Sequence, residues 1–248
     1  MTWALVSGML LSACGLDESD TAMPTQPTDP EPPTNPEPPV PGFDIELQFH
    51  VSVSEEERRV LREAADMWES VITGDLPDVI TISTDCLATG PAQIDDLVVY
   101  VESRVLGGPI AAAGPTCLRR SYLPATGRII LASDHTHSST HALRQTALHE
   151  LGHVLGFGIL WRVTDLGLLH DPSCTFDPVA DMWNCDTTGT IDTRYVGLRG
   201  NASWQTLGHN PLFPVPVENR LGLGSSDGHW REDSVLHAEL MNPILRAD

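Results

Sequence analysis

From Phe43 onward the apolar positions fall into two periods. Ile45, Leu47, Phe49 and Val51 alternate with polar residues, which predicts a half-buried strand. Ser54 follows with Glu57 three residues on, the pattern of a capping box that starts a helix. Leu61, Ala64, Ala65, Trp68, Val71 and Ile72 then recur at helical spacing and form a stripe suited to packing on a sheet. The runs Leu97-Val98-Val99-Tyr100-Val101 and Arg128-Ile129-Ile130-Leu131-Ala132 read as strands. A second helix is expected from Ser139 or Thr140 to Gly156, with Leu143, Ala147, Leu151, Val154 and Leu155 on its buried side. Gly156 suits its end, because glycine accepts the left-handed conformation just past a helix C-terminus.

The first 42 residues do not share this patterning. Residues 3–13 are nearly all apolar or small, and Leu11-Ser12-Ala13-Cys14 resembles a bacterial lipobox with Cys14 as the lipidated residue. The run is too short to span a bilayer, and no Lys or Arg precedes it. Residues 15–42 carry nine prolines, six acidic residues and no basic one, so they read as an extended, disordered spacer that cannot bury a core. The expected organisation is a lipoprotein signal segment (1–14), an acidic Pro-rich linker (15–42) and one domain (43–248). The protein is expected to be exported, held at the cell envelope by its lipid alone or secreted, and monomeric.

Composition narrows the partners. With 41% apolar residues the chain can build a core, and its net charge of −20 argues against nucleic acid, which needs clustered Lys and Arg. With Cys14 lipidated, Cys86, Cys117, Cys174 and Cys185 remain, an even number consistent with two disulfides in an exported protein. Proximity favours Cys86–Cys117 and Cys174–Cys185. No C-x-x-C spacing points to a thiolate metal site.

The chemistry concentrates in His149-Glu150-Leu151-Gly152-His153. At 100° per residue, His149 and His153 lie about 40° apart on a helix, one turn above each other, so both rings can reach one zinc ion. Glu150 falls about 60° from His153 by the same arithmetic, placed to activate water rather than to act as a ligand. A catalytic zinc site needs a third protein ligand and an open fourth position. The compact H-E-x-x-H-x-x-G-x-x-H pattern would place a third His where this chain has Ile159. Spacing alone leaves His170, His209, His229 and His237 open, together with carboxylates such as Glu218 or Glu232. Asp134-His135-Thr136-His137 reads as a polar loop entering the helix, and Asn201-Ala202-Ser203 as a chance glycosylation sequon.

Two further blocks, Asp227-Gly228-His229-Trp230 and Glu239-Leu240-Met241-Asn242-Pro243, join the helical motif in a strong resemblance to the leishmanolysin family of zinc metalloproteases, in its bacterial branch. Val215-Pro216-Val217-Glu218-Asn219 resembles the stretch that precedes the H-W motif there. The resemblance implies a third histidine delayed by an insertion, making His229 the third Zn2+ ligand with His149 and His153, and Met241 a methionine turn beneath the metal. It implies an α+β fold of the zincin (metzincin) type. An upper subdomain of about 43–156 would hold a twisted mixed sheet and the active-site helix, and a smaller irregular lower subdomain would span about 157–248. Family members continue into a further helix, whereas this chain runs seven residues beyond Met241. The implied activity is zinc-dependent endopeptidase action on proteins or peptides, with Glu150 as general base toward the zinc-activated water. The competing reading is a non-catalytic surface lipoprotein that binds a partner and keeps zinc for structure.

Overall fold

A computed structural model describes residues 42–80 and 93–244. Cys14, Cys86 and almost all of the Pro-rich linker lie outside the described residues. The chain runs β1 (Ile45–Phe49), α1 (Glu55–Val71), β2 (Val79–Ile80), β3 (Gln93–Ile94), β4 (Leu97–Arg104), β5 (Ala111–Leu118), β6 (Pro124–Ala132) and α2 (Thr140–Val154). Two 3-10 turns follow, then β7 (Leu169–His170), β8 (Cys174–Asp177), β9 (Met182–Cys185), β10 (Arg194–Tyr195), α3 (Leu198–Thr206) and β11 (Val215–Pro216). The result is an α+β fold with a mixed sheet and a smaller C-terminal part.

The main sheet has the order β1-β4-β6-β5. β1 and β6 run parallel to β4, whereas β5 runs antiparallel to β6 and forms an edge. β4 is central, and its residues Leu97, Val98, Val99 and Val101 are buried on both faces, as an apolar run without alternation requires. On one face Leu97, Val99, Val101, Ile129 and Leu131 meet Val60, Leu61, Ala64 and Ala65 of α1 and Leu143, Ala147, Leu151 and Val154 of α2. That layer is the principal core. Val98 packs on the opposite face with Ile94 and Ala125.

Local signals set most of these boundaries. Ser54 caps α1 by accepting from the Glu57 amide, and the Glu57 carboxylate accepts from the Ser54 amide at 2.7 Å, so the predicted capping box is present. Ser139 caps α2 by accepting from the Ala142 amide. Gly156 stands at φ +102°, as its place after the helix predicts. Two expectations are corrected. Val71 is exposed rather than part of the packed stripe, because Trp68 and Ile72 take the places against the core at that end of α1, and Val51 is exposed because β1 stops at Phe49. β5 was not foreseen at all. Its sequence, Ala-Ala-Ala-Gly-Pro-Thr-Cys-Leu, has no alternation, and Pro115 is tolerated because the strand is an edge.

The region after α2 is more ordered than the expected irregular subdomain. β8 and β9 pair antiparallel with Cys174 opposite Cys185, and these two form a disulfide, as chain proximity suggested. Cys117 is buried on β5 and is itself disulfide-bonded. A small cluster of Trp204, Val215 and Leu236 closes the C-terminal part. Asn201, in the sequon, is structural: its amide donates to the carbonyls of Tyr195 and Gly197, and its oxygen accepts from the Val215 amide.

Candidate metal centre

His149 and His153 project from the buried last turns of α2. His229 arrives from a loop whose path is fixed by polar contacts. Asp227, at φ +60° and fully buried, accepts from the Ser173 amide and hydroxyl with one oxygen and from the Cys174 amide with the other. Glu218 is equally buried and accepts from the amides of Asn219, Arg220 and Glu232. The Glu218 amide donates to the His229 carbonyl, and the Asp227 amide to the Glu218 carbonyl. Both carboxylates thus hold the loop by backbone hydrogen bonds on either side of His229. Phe157, Trp161, Tyr195 and Trp230 stack edge to face or tilted, with centroids 4.5–5.9 Å apart, and bind the turn after α2 to the segment carrying His229. Gly158 sits against Gly228 so closely that a Cβ there would run into the Gly228 carbonyl.

The three rings converge. Nε2 of His149 lies 3.0 Å from Nε2 of His153 and 3.2 Å from that of His229, and the last pair is 3.0 Å apart. Each ring uses its other nitrogen on a backbone carbonyl: His149 Nδ1 donates to Leu240 at 2.8 Å, His153 Nδ1 to Phe157 at 2.9 Å and His229 Nδ1 to Ser225 at 3.0 Å. A carbonyl only accepts, so every Nδ1 bears the proton and, in a neutral ring, every Nε2 presents a lone pair. Burial keeps the rings neutral. It lowers His149, and, with the charges of neighbouring histidines, it brings His153 to about 4 and His229 to about 3.

Three buried lone pairs facing one another have no hydrogen to share, so the arrangement calls for a cation. Zinc–nitrogen bonds of about 2.0–2.1 Å in tetrahedral geometry separate the nitrogens by about 3.3–3.4 Å, within a few tenths of an ångström of the spacing here. The fixed Nδ1 protons are the outer contacts that orient metal-binding imidazoles. Among the described residues no fourth donor joins the three.

Glu150, next to His149 in α2, is buried with no hydrogen-bond partner among the described residues, and burial raises its pKa to about 8. A divalent ion at the focus of the histidines would favour its charged form. Met241 is buried against α2. A Cβ placed on Gly152 would lie 2.6 Å from its sulfur, so the glycine within the helical motif makes room for that side chain. The adjoining Leu240 supplies the carbonyl that holds His149.

The other candidate ligands go elsewhere. His170, His209 and His237 do not join the cluster, Glu218 organises the loop, and His135 and His137 meet edge to face in the loop before α2. Sequence reasoning missed the three carbonyls, which have no side-chain signature. It also missed Asp227 and Glu218 as supports, although both stand in the quoted motif blocks. In comparison with known proteins, no family model and no curated protein matches the chain, so the resemblance rests on the three motif blocks alone.

Proposed function

We propose that the protein is a zinc-dependent endopeptidase of leishmanolysin-like type. The observation that carries this reading is the set of three Nε2 lone pairs within 3.2 Å of one another, with a buried Glu150 next in sequence to His149 and without a hydrogen-bond partner among the described residues. Zinc bound there would supply a Lewis acid that makes water nucleophilic at neutral pH. His149, His153 and His229 would hold it, oriented by the Leu240, Phe157 and Ser225 carbonyls. Glu150 would accept the proton of the attacking water and return it to the leaving amine. The edge position of β5, beside α2, suits an extended peptide that pairs with the free side of the strand. A purely structural zinc site is closed by four protein ligands, whereas three converge here among the described residues, which favours the enzyme over the binding protein. Attachment through Cys14, export and a monomeric state belong to the same proposal.

The test is cleavage of a proteome-derived peptide pool by the full chain, with new termini read by mass spectrometry and Glu150→Ala as control. Zinc-dependent cuts missing from the control are expected. Equal cleavage by a zinc-loaded Glu150→Ala protein would refute the mechanism, and no cleavage by a folded, zinc-loaded wild type would favour the non-catalytic reading.

A further inference from the structure

A cavity of about 470 Å³ lies beside the metal centre and is lined by none of the three histidines. Its walls include Trp161, Val163, Leu168, Phe176 and Trp183, and the one charged residue lining it is Arg162. The Arg162 guanidinium lies over the Trp183 ring at 5.6 Å. Its Nη2 donates to the Ser226 carbonyl, while its Nε is buried without a hydrogen-bond partner. No carboxylate forms an ion pair with it among the described residues. Asp227 is the acidic group whose field reaches it, but both Asp227 oxygens are committed to Ser173 and Cys174.

A half-buried guanidinium that lines an apolar cavity and has no carboxylate partner gains from an anion that completes its hydrogen bonds. We propose that this cavity binds a carboxylate carried on an apolar or aromatic body, with Arg162 as the anion-binding residue. One guanidinium neutralises one charge, which fits a monoanionic carboxylate rather than a phosphate. The strongly negative chain would also repel polyanions. The planar fork matches carboxylate geometry, and the tryptophan and aliphatic walls suit the attached body. Two sources share this chemistry: the C-terminal carboxylate of a peptide ending in an apolar residue, and a free aryl or alkyl acid.

Calorimetric titration of the full chain with N-acetyl-phenylalanine, its amide and 3-phenylpropionate tests the proposal without recourse to turnover, so its outcome is separate from that of the peptidase reading. The acid is expected to bind saturably and the amide at least about tenfold more weakly. Phenylpropionate binding as well as the acetylated amino acid would assign the site to free acids, and tenfold weaker binding would assign it to peptide termini. Arg162→Gln should weaken the acid by about tenfold or more, and Arg162→Lys by less, since a point charge lacks the fork. A folded Arg162→Gln protein that binds the acid as well as wild type would overturn the proposal, because the carboxylate would then sit away from Arg162. Equal affinity of wild type for acid and amide would overturn it without any variant. Should Arg162→Gln fail to fold, Trp183→Leu keeps the guanidinium and removes a wall, and unchanged affinity there would also count against the site.

Discussion

Gly152→Ala is the sharpest perturbation of the metal centre that leaves every ligand in place. In a free helix the change would stabilise by about 1 kcal/mol, because Ala is the better helix former. Here the new methyl would sit 2.6 Å from the Met241 sulfur and 3.0 Å from its methyl carbon, with Trp68 at 3.5 Å. Met241 is buried and must move, and overpacking of this kind costs about 1–3 kcal/mol. The two effects leave a net loss of about 0–2 kcal/mol. The larger effect should fall on zinc. Met241 directly follows Leu240, whose carbonyl holds His149 Nδ1 at 2.8 Å, so backbone movement that accompanies the new methyl reaches this outer contact, and disturbing such a contact lowers metal affinity by about 10–100-fold. Urea unfolding of the zinc-free protein gives the first quantity, and competition with a chromogenic chelator the second. Met241→Ala in the same chain makes space for the methyl, so the double variant should recover about 0.5–3 kcal/mol relative to the sum of the singles. A Gly152→Ala protein that is about 1 kcal/mol more stable and binds zinc like wild type would refute the wedge of Met241 against the helix.

Further outcomes follow from the same geometry. His229→Ala should cost zinc affinity of at least about 100-fold by chelator competition, whereas His237→Ala, at an exposed position outside the cluster, should leave it unchanged. Asp227→Asn keeps a residue that tolerates positive φ but turns one acceptor oxygen into a donor facing Ser173 or Cys174. Denaturant unfolding should show a loss of about 1–3 kcal/mol, with weaker zinc binding. Removing the Cys174–Cys185 bridge, which closes a loop of sequence separation 11, by Cys174→Ala with Cys185→Ala should lower stability by about 2–3 kcal/mol in denaturant unfolding under non-reducing conditions, which leave the Cys117 disulfide intact.

The parts of this molecule that were legible in its sequence are those governed by local periodicity or by a motif on one helix. The α1 capping box, the apolar runs of β4 and β6 and the facing of His149 and His153 all follow from spacings of a few residues. Val71 marks the edge of that method: it has the right period, but the neighbouring Ile72 takes the place against the core, a choice the spacing does not encode. β5 escaped because an edge strand of small residues with a proline carries no alternating signal. His229 could be chosen from four histidines only by resemblance, because nothing in its own neighbourhood encodes distance to α2. Its placement depends on Asp227 reaching Ser173, Glu218 reaching Glu232, and Trp230 meeting Phe157 and Trp161. Those contacts link positions that share no period.

The delayed third histidine has an energetic consequence. Separation from His153 is 76 residues here, against six in the compact pattern, and closing the longer loop costs about 2 kcal/mol more by the logarithmic dependence on length. Were the insertion unstructured, zinc would have to supply that difference on binding. Instead the insertion carries its own constraints: a disulfide-closed hairpin, a buried carboxylate joining that hairpin to the His229 loop, and an aromatic cluster joining the loop to the end of α2. The disulfide alone is worth about 2–4 kcal/mol, comparable to the added closure cost. Much of the ordering that brings the histidines together therefore lies in the protein's own contacts, at the expense of three mutually facing lone pairs. That electrostatic cost, concentrated at one buried point, is what a bound cation relieves.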